Sequence, residues 1–341
     1  MSSRNEKIDF LRFSGLSLII FAHVFAPLIL RQPGSFAVPL MVVVSAMSYL
    51  LSQGKDKSYL AYFWSRIKRL VFPTWIFLSA YFSVLFLFKI ENDFLNLKSG
   101  IETYLLLEGI GYVWIIRVFL LVALVAPFLM KFNDSIKGDG KYLLILFGLF
   151  ILHSVMFVFT KDYYNDDVYK YFFYIVGYII PYSLIFAFGL RFESFSANML
   201  KVIVAVCFAL FVAVGAFHYI QEGQIQSFYH YKYPPQAFYI LYSMVAVIIF
   251  YGISGYVWPY IRKITAVRNV VLFSARNSLW IYLWHIPIVT FLDINFMVEY
   301  IITFVGAVLA TFLQVKLLEN VIVPNVKNKN LQYNLKIMLR G

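Results

Sequence analysis

Apolar runs long enough to cross a bilayer recur along this chain from one end to the other. A span needs about twenty predominantly apolar residues. In hydrocarbon every backbone N–H and C=O must be satisfied within the protein, which a helix achieves by itself and an open strand cannot. Ten runs qualify, at about 10–30, 38–53, 71–89, 113–130, 142–160, 171–190, 202–220, 238–257, 279–298 and 299–319. The second is short and the ninth is interrupted by Asp293 and Asn295. The last two nearly touch, so they form either a tight helical hairpin or one span plus a re-entrant piece. The fold expected is all-α: a polytopic integral membrane protein with about ten transmembrane helices. Composition agrees, since 62% of the residues are hydrophobic and 13% charged, against roughly 25% charged in soluble domains. A soluble globular domain, a disordered chain and a disulfide scaffold are thereby excluded. The single cysteine, Cys207, can form neither an intrachain disulfide nor a thiolate metal cluster.

The formal charge of +12 follows a pattern along the chain. Of the 29 Lys and Arg, twenty lie in 1–9, 54–70, 131–141, 191–201, 258–278 and beyond 320, the segments that share a side with the N-terminus. Six lie in the opposite segments, and Arg12, Arg117 and Lys316 fall within spans. By the positive-inside rule both termini are cytoplasmic, and the partner of the basic loops is the bilayer, with no nucleic acid implied. The first run follows a charged start, MSSRNEK, but no small-x-small cleavage site follows it, so it reads as a retained span. Without internal repeats or Gly/Ser linkers, the chain reads as one transmembrane domain, 1–320, and a short basic cytoplasmic tail, 321–341.

The first span carries the sharpest chemical signal. KIDFLRFSGLSLIIFAHVFAP places Asp9, Arg12 and His23 in or beside one helix, and ionisable groups in hydrocarbon usually face a protein interior or a wet cavity. Eleven residues amount to three turns plus about 20°, so Arg12 and His23 share a face, roughly 16 Å apart along the axis. That stripe suits a ligand with an anionic head at the cytoplasmic mouth and a reactive end deeper in the membrane. Arg12 would hold phosphate, and a neutral His23 would take a proton from an attacking hydroxyl. Taken singly, Arg12 also fits an interfacial anchor paired with Asp9, and His23 a packing residue; the shared face argues for function.

These residues resemble the opening of the acyltransferase-3 family of integral membrane acyltransferases: an Asp-x-Leu-Arg start (Asp9, Leu11, Arg12) and, after ten residues, a His (His23). VVVSAMSYL is similar to the family's Phe-Phe-x-x-Ser-Gly-Phe stretch, with Ser45 at the serine, Ala46 at the usual Gly, and Val42 and Val43 for the aromatics. SRIKRLVFPTW carries an Arg-x-x-Arg motif, Arg66 and Arg69, before Leu70, Pro73 and Trp75. NSLWIYLWHIP resembles the late Ser-x-x-Ile-Tyr-Leu-x-His element, here Ser278, Ile281, Tyr282, Leu283 and His285. The resemblance implies a bacterial inner-membrane, multi-pass O-acyltransferase. Its most natural activity is O-acetyl transfer from cytosolic acyl-CoA, most simply acetyl-CoA, to a cell-surface polysaccharide such as O-antigen or its lipid-linked precursor.

Within that frame Arg66 and Arg69, three apart on one helix face, are expected to meet the phosphates of the acyl-CoA; with Lys55, Lys57 and Lys68 they form the most basic loop. His23 is expected to be general base or acyl-accepting nucleophile. Arg117 either snorkels to the outer surface or holds an anionic acceptor group or developing oxyanion. Trp114 either stacks on a sugar or joins the interfacial aromatic belt, and Ser45 joins these two as a candidate substrate contact. His285, in an aromatic setting, ranks below His23 as a structural hydrogen bonder. His153, His218 and His230 match no motif, and no two histidines have i, i+4 spacing, so no metal site is expected. Lys316 and Glu319 read as an ordinary ion pair. Two aromatic segments, 163–174 with Asp166 and Asp167, and 227–239, suit either sugar recognition or the aromatic belt. Some relatives carry an esterase-like domain after the last span; here transfer is expected at the membrane-embedded site or through a partner. A transporter, flippase or polymerase of lipid-linked glycans is the competing reading.

Overall fold

The computed structural model describes residues 5–52, 58–90, 96–107, 109–165, 169–224 and 226–340. In chain order the helices are α1 Glu6–His23, α2 Leu28–Arg31, α3 Ala37–Leu51, α4 Tyr59–Leu87, α5 Leu97–Tyr104, α6 Trp114–Ser135, α7 Asp139–Thr160 and α8 Lys170–Arg191. There follow α9 Ala197–Glu222, α10 Ala237–Ile261, α11 Thr265–Arg276, α12 Ser278–Phe291, α13 Phe296–Leu317, α14 Val323–Asn325 and α15 Lys329–Arg340. No strand is present among the described residues, beyond one isolated bridge between Lys232 and Pro235. Among the described residues, eight helical segments are long and apolar enough to cross a membrane. The outward faces are apolar too: Phe159 on α7 and Ile220 on α9 are each 78% exposed, which no water-facing surface tolerates on this scale. The chain is an all-α polytopic membrane protein.

The remaining two expected spans are α1, with Glu6, Lys7, Asp9 and Arg12 in its first half, and the short α12. The first expected span, about 10–30, is interrupted: α1 ends at His23, and Val24–Pro27 are non-helical, Pro27 having ψ 139°, before α2 begins at Leu28. The ninth was placed at about 279–298, but α12 stops at Phe291. Asn295 then caps a new helix, its side chain accepting from Met297 N at 3.1 Å. The helices α12 and α13 therefore form a hairpin joined by Leu292–Asn295.

The chain forms two compact units. One comprises Met1–Gly15, Pro27–Lys55 and Leu121–Thr265; the other Leu16–Ala26, Asp56–Leu120 and Ala266–Gly341. In the first, α3 packs on α8, α7 on α8 and α9 on α10. The α3–α8 approach needs a glycine: a Cβ on Gly189 would come within 2.8 Å of Ala46 Cβ and 3.0 Å of Val43 Cα. Small residues at such crossings let helix backbones pack closely where no water drives association. Arg191, ending α8, donates to the carbonyls of Asn133 and Ile136 at 2.5 Å each, satisfying acceptors at the end of α6.

In the second unit α12 packs along α13 and against α4, and α15 lies on α4 and α13. Polar ties hold α15, among them Lys68 Nζ to Asn334 Oδ1 at 3.3 Å, Trp280 Nε1 to Met338 O at 2.9 Å, Gln314 Nε2 to Leu339 O at 2.7 Å, and Arg340 to Glu319 at 2.7 Å. Glu319 thus pairs with Arg340 instead of the expected Lys316, whose ammonium lies 5.7 Å from the Phe312 ring.

Candidate active site

The second unit brings together two histidines 262 residues apart in sequence. His23 is the last residue of α1, and His285 lies at mid-length on α12. His23 Nδ1 meets His285 Nε2 at 2.8 Å, with the rings 5.0 Å apart and tilted by 16°. His285 is fully buried, and its Nδ1 is hydrogen-bonded to the Tyr282 carbonyl.

Donor and acceptor roles follow link by link. A carbonyl only accepts, so His285 Nδ1 carries the hydrogen. A neutral imidazole then has its lone pair at Nε2, so His23 Nδ1 is the donor of the 2.8 Å bond. The basic lone pair of His23 is therefore at Nε2. A backbone carbonyl thus sets the tautomer of His23 through an intervening histidine, as orienting partners commonly do for imidazole bases.

Aromatic rings wall the pair. Tyr112 stands edge-on to His23 at 4.8 Å and to His285 at 5.6 Å between centroids. The Tyr282 hydroxyl donates to the Tyr112 carbonyl, holding that loop against α12. Val24, Ala26 and Val289 form a small core beside it, with Phe21, Tyr112, Phe296 and Tyr300 packed around them. Glu299, in the first turn of α13, is fully buried. Its Oε2 accepts from Phe25 N at 3.4 Å, and its Oε1 is buried with no hydrogen-bond partner.

The other residues singled out in the sequence fall as follows. Arg12, in the first unit, lies 3.6 Å from Asp9 and donates to Ser48 Oγ at 2.7 Å. The serine that meets it is Ser48; Ser45 lies one turn earlier on α3, half-buried. Arg117 is 6% exposed and donates to the Leu107 carbonyl at 2.6 Å. Trp114 is buried at the start of α6. Arg66 and Arg69 share a face of α4, Arg66 lying 5.0 Å from the Tyr62 ring and Arg69 exposed. Lys55 and Lys57, and Asp166 and Asp167, lie outside the described residues.

The segment 227–239 is built into the first unit's packing. Tyr231 and Tyr239 are buried, and Tyr239 donates to Ser35 O at 2.9 Å. Lys232 is buried there 5.2 Å from the Tyr229 ring, and burial pushes its ammonium down to about 7. His153 bonds the Pro235 carbonyl at 3.2 Å, and His218 lies 3.6 Å from Glu222. No group of three His, Cys, Asp or Glu able to hold a metal occurs among the described residues.

Sequence reasoning ranked His285 as structural and passed over Ser48 and Glu299. A signal for His285 was present, the Tyr-x-x-His spacing within an apolar run; the signal for Glu299 was an acid at the mouth of a span.

Against this geometry, a family model described as an acyltransferase domain, acyltransferase-3, matches residues 5–315. Comparison with curated proteins and with solved structures gives no match.

Proposed function

The chain belongs to the acyltransferase-3 family and is a membrane acyltransferase, and from that membership we propose that it moves an acetyl group from cytosolic acetyl-CoA to a hydroxyl of a cell-surface polysaccharide, such as O-antigen, or of its lipid-linked precursor. The protein would work in the bacterial inner membrane with both termini in the cytoplasm. The observation that carries the reading is the relay from the Tyr282 carbonyl through His285 to His23, which leaves a basic Nε2 on the last residue of α1.

In the proposed reaction Arg66 and Arg69 hold the donor's phosphates by charge-assisted hydrogen bonds. Arg12, set by Asp9 and Ser48, adds positive charge on the same helix as His23. His23 Nε2 takes the proton of the acceptor hydroxyl as its oxygen attacks the thioester carbonyl. The tetrahedral intermediate collapses, the C–S bond breaks, and the imidazolium returns the proton to the departing thiolate. Ester and free CoA are the products. An acyl-imidazole on the same Nε2 is the covalent variant of this step. Ser45, Trp114 and Arg117 are assigned to substrate contacts, Arg117 supplying the positive charge for an anionic acceptor group or the oxyanion.

The test is the ester-linked acyl content of surface glycan from cells carrying wild type, His23→Ala or an empty vector at matched membrane levels. Wild type is expected to add an ester and His23→Ala to fall to the vector level. Equal acylation by both proteins would remove His23 from the chemistry. An unchanged ester content with altered glycan export or chain length would instead favour a carrier or a polymerase.

A further inference from the structure

We infer that the last helix completes the nucleotide half of the donor site, with the ring of Tyr333 as the platform on which the adenine of CoA stacks. The inference rests on the acyl-CoA reading above and names a subsite within it.

Helix α15, KNLQYNLKIMLR, has no acidic residue and only Ile337 buried. A tail that only adhered to lipid headgroups would need no specific partners. This one is tied to three helices, to α4 through Lys68, to α12 through Trp280 and to α13 through Gln314. Gln314 also accepts from Trp284, the neighbour of His285, at 2.7 Å. The helix is thus fixed in place, and the side chains it leaves outward are fixed with it.

Tyr333 is 60% exposed although it adjoins Asn334, which anchors the helix to α4. It lies within electrostatic reach of Arg69. On α4, Arg66, Lys68 and Arg69 lie within one turn, the two arginines on a common face and Lys68 held by Asn334, the residue next to Tyr333.

CoA ends in an adenosine that carries a 3′-phosphate and a 5′-diphosphate. Such a group needs several cations close together and a flat apolar face for the base. The arginines and Lys68 supply the first, and an exposed tyrosine beside an arginine supplies the second. Aromatic stacking tolerates any base, whereas the phosphates and cations set the register. An interfacial anchor is the other use for an exposed tyrosine near a membrane. It predicts a change in membrane abundance and none in nucleotide affinity.

The experiment measures binding to the purified full-length protein in lipid nanodiscs of three probes: CoA, adenosine 3′,5′-bisphosphate and acetyl-pantetheine, which lacks the nucleotide. Wild type is expected to bind CoA in competition with the bisphosphate. Tyr333→Ala and Tyr333→Leu should each weaken CoA and the bisphosphate by roughly tenfold and leave acetyl-pantetheine unchanged, while Tyr333→Phe and Tyr333→Trp bind as wild type does. Unaltered CoA affinity in both the Ala and Leu variants would overturn the inference and leave the donor reading standing. An equal loss for acetyl-pantetheine would overturn it as a structural effect. Failure of the wild type to bind CoA would overturn the donor reading itself, and the inference with it.

Discussion

At the scale of single residues, the site depends on hydrogen-bond roles more than on the presence of particular groups. His285→Ala leaves His23 without the acceptor that fixes its tautomer. Acyl transfer is expected to fall on the order of a hundredfold or more, with protein abundance held near wild type, measured as glycan ester per unit of membrane protein. Glu299 offers a second check. Glu299→Gln retains an acceptor for Phe25 N, whereas Glu299→Ala removes it. Gln is therefore expected to keep most of the transfer that Ala loses, in the same ester measurement. Lys232 gives a prediction with a pH sign. Its native value near 7 lies below the ordinary lysine value, which is about 10.4 in an unfolded chain. Between the two the unfolded chain binds a proton that the native chain lacks, so stability rises with pH across that window. Lys232→Met removes this dependence. It is expected to melt higher than wild type at pH 7, with the gain shrinking toward pH 10, read as Tm in a single detergent.

At the scale of elements, the packing of α3 on α8 explains a departure from the family pattern. Ala46 stands where the resemblance calls for Gly, and its methyl occupies the room that Gly189 leaves across the contact. Gly189→Ala is expected to cost about 1–3 kcal/mol by overpacking. Ala46→Gly added to it should recover only part, because Val43 Cα and Val43 O still lie 3.0 and 3.1 Å from the new methyl. A double-mutant cycle on thermal stability would measure this. The hairpin of α12 and α13 shows how far element boundaries can be read ahead. Asp293 and Asn295 marked an interruption, and the interruption is there. Which of them began the next helix was decided by the side chain that reached Met297 N.

For the molecule as a whole, the apolar outer faces and the uneven distribution of Lys and Arg are two aspects of one constraint. Hydrocarbon excludes uncompensated charge, so basic residues collect at the ends of spans and on one side. Cys207 is the only cysteine, and replacing it gives a background for mapping sidedness. In that background Asn328→Cys is expected to react with a membrane-impermeant thiol reagent only from the cytoplasmic side, and Ser227→Cys only from the opposite one. Labelling of both from the same side would break the proposed topology, and labelling with the two sides exchanged would invert it.

The sequence by itself determined the class of fold, the family, the presence of Arg12 and His23 on the first helix and the clustering of Arg66 with Arg69. These depend on runs, spacings and motifs, all local along the chain. Tertiary structure decided which polar atoms met. It brought His285 to His23 from 262 residues away, set Ser48 against Arg12, buried Arg117 on the Leu107 carbonyl, and tied the C-terminal helix to α4 beside Arg69. Helical periodicity fixes the face on which a side chain lies, but a hydrogen bond is won or lost over a few tenths of an ångström. That precision comes only when other helices have packed and set the distance.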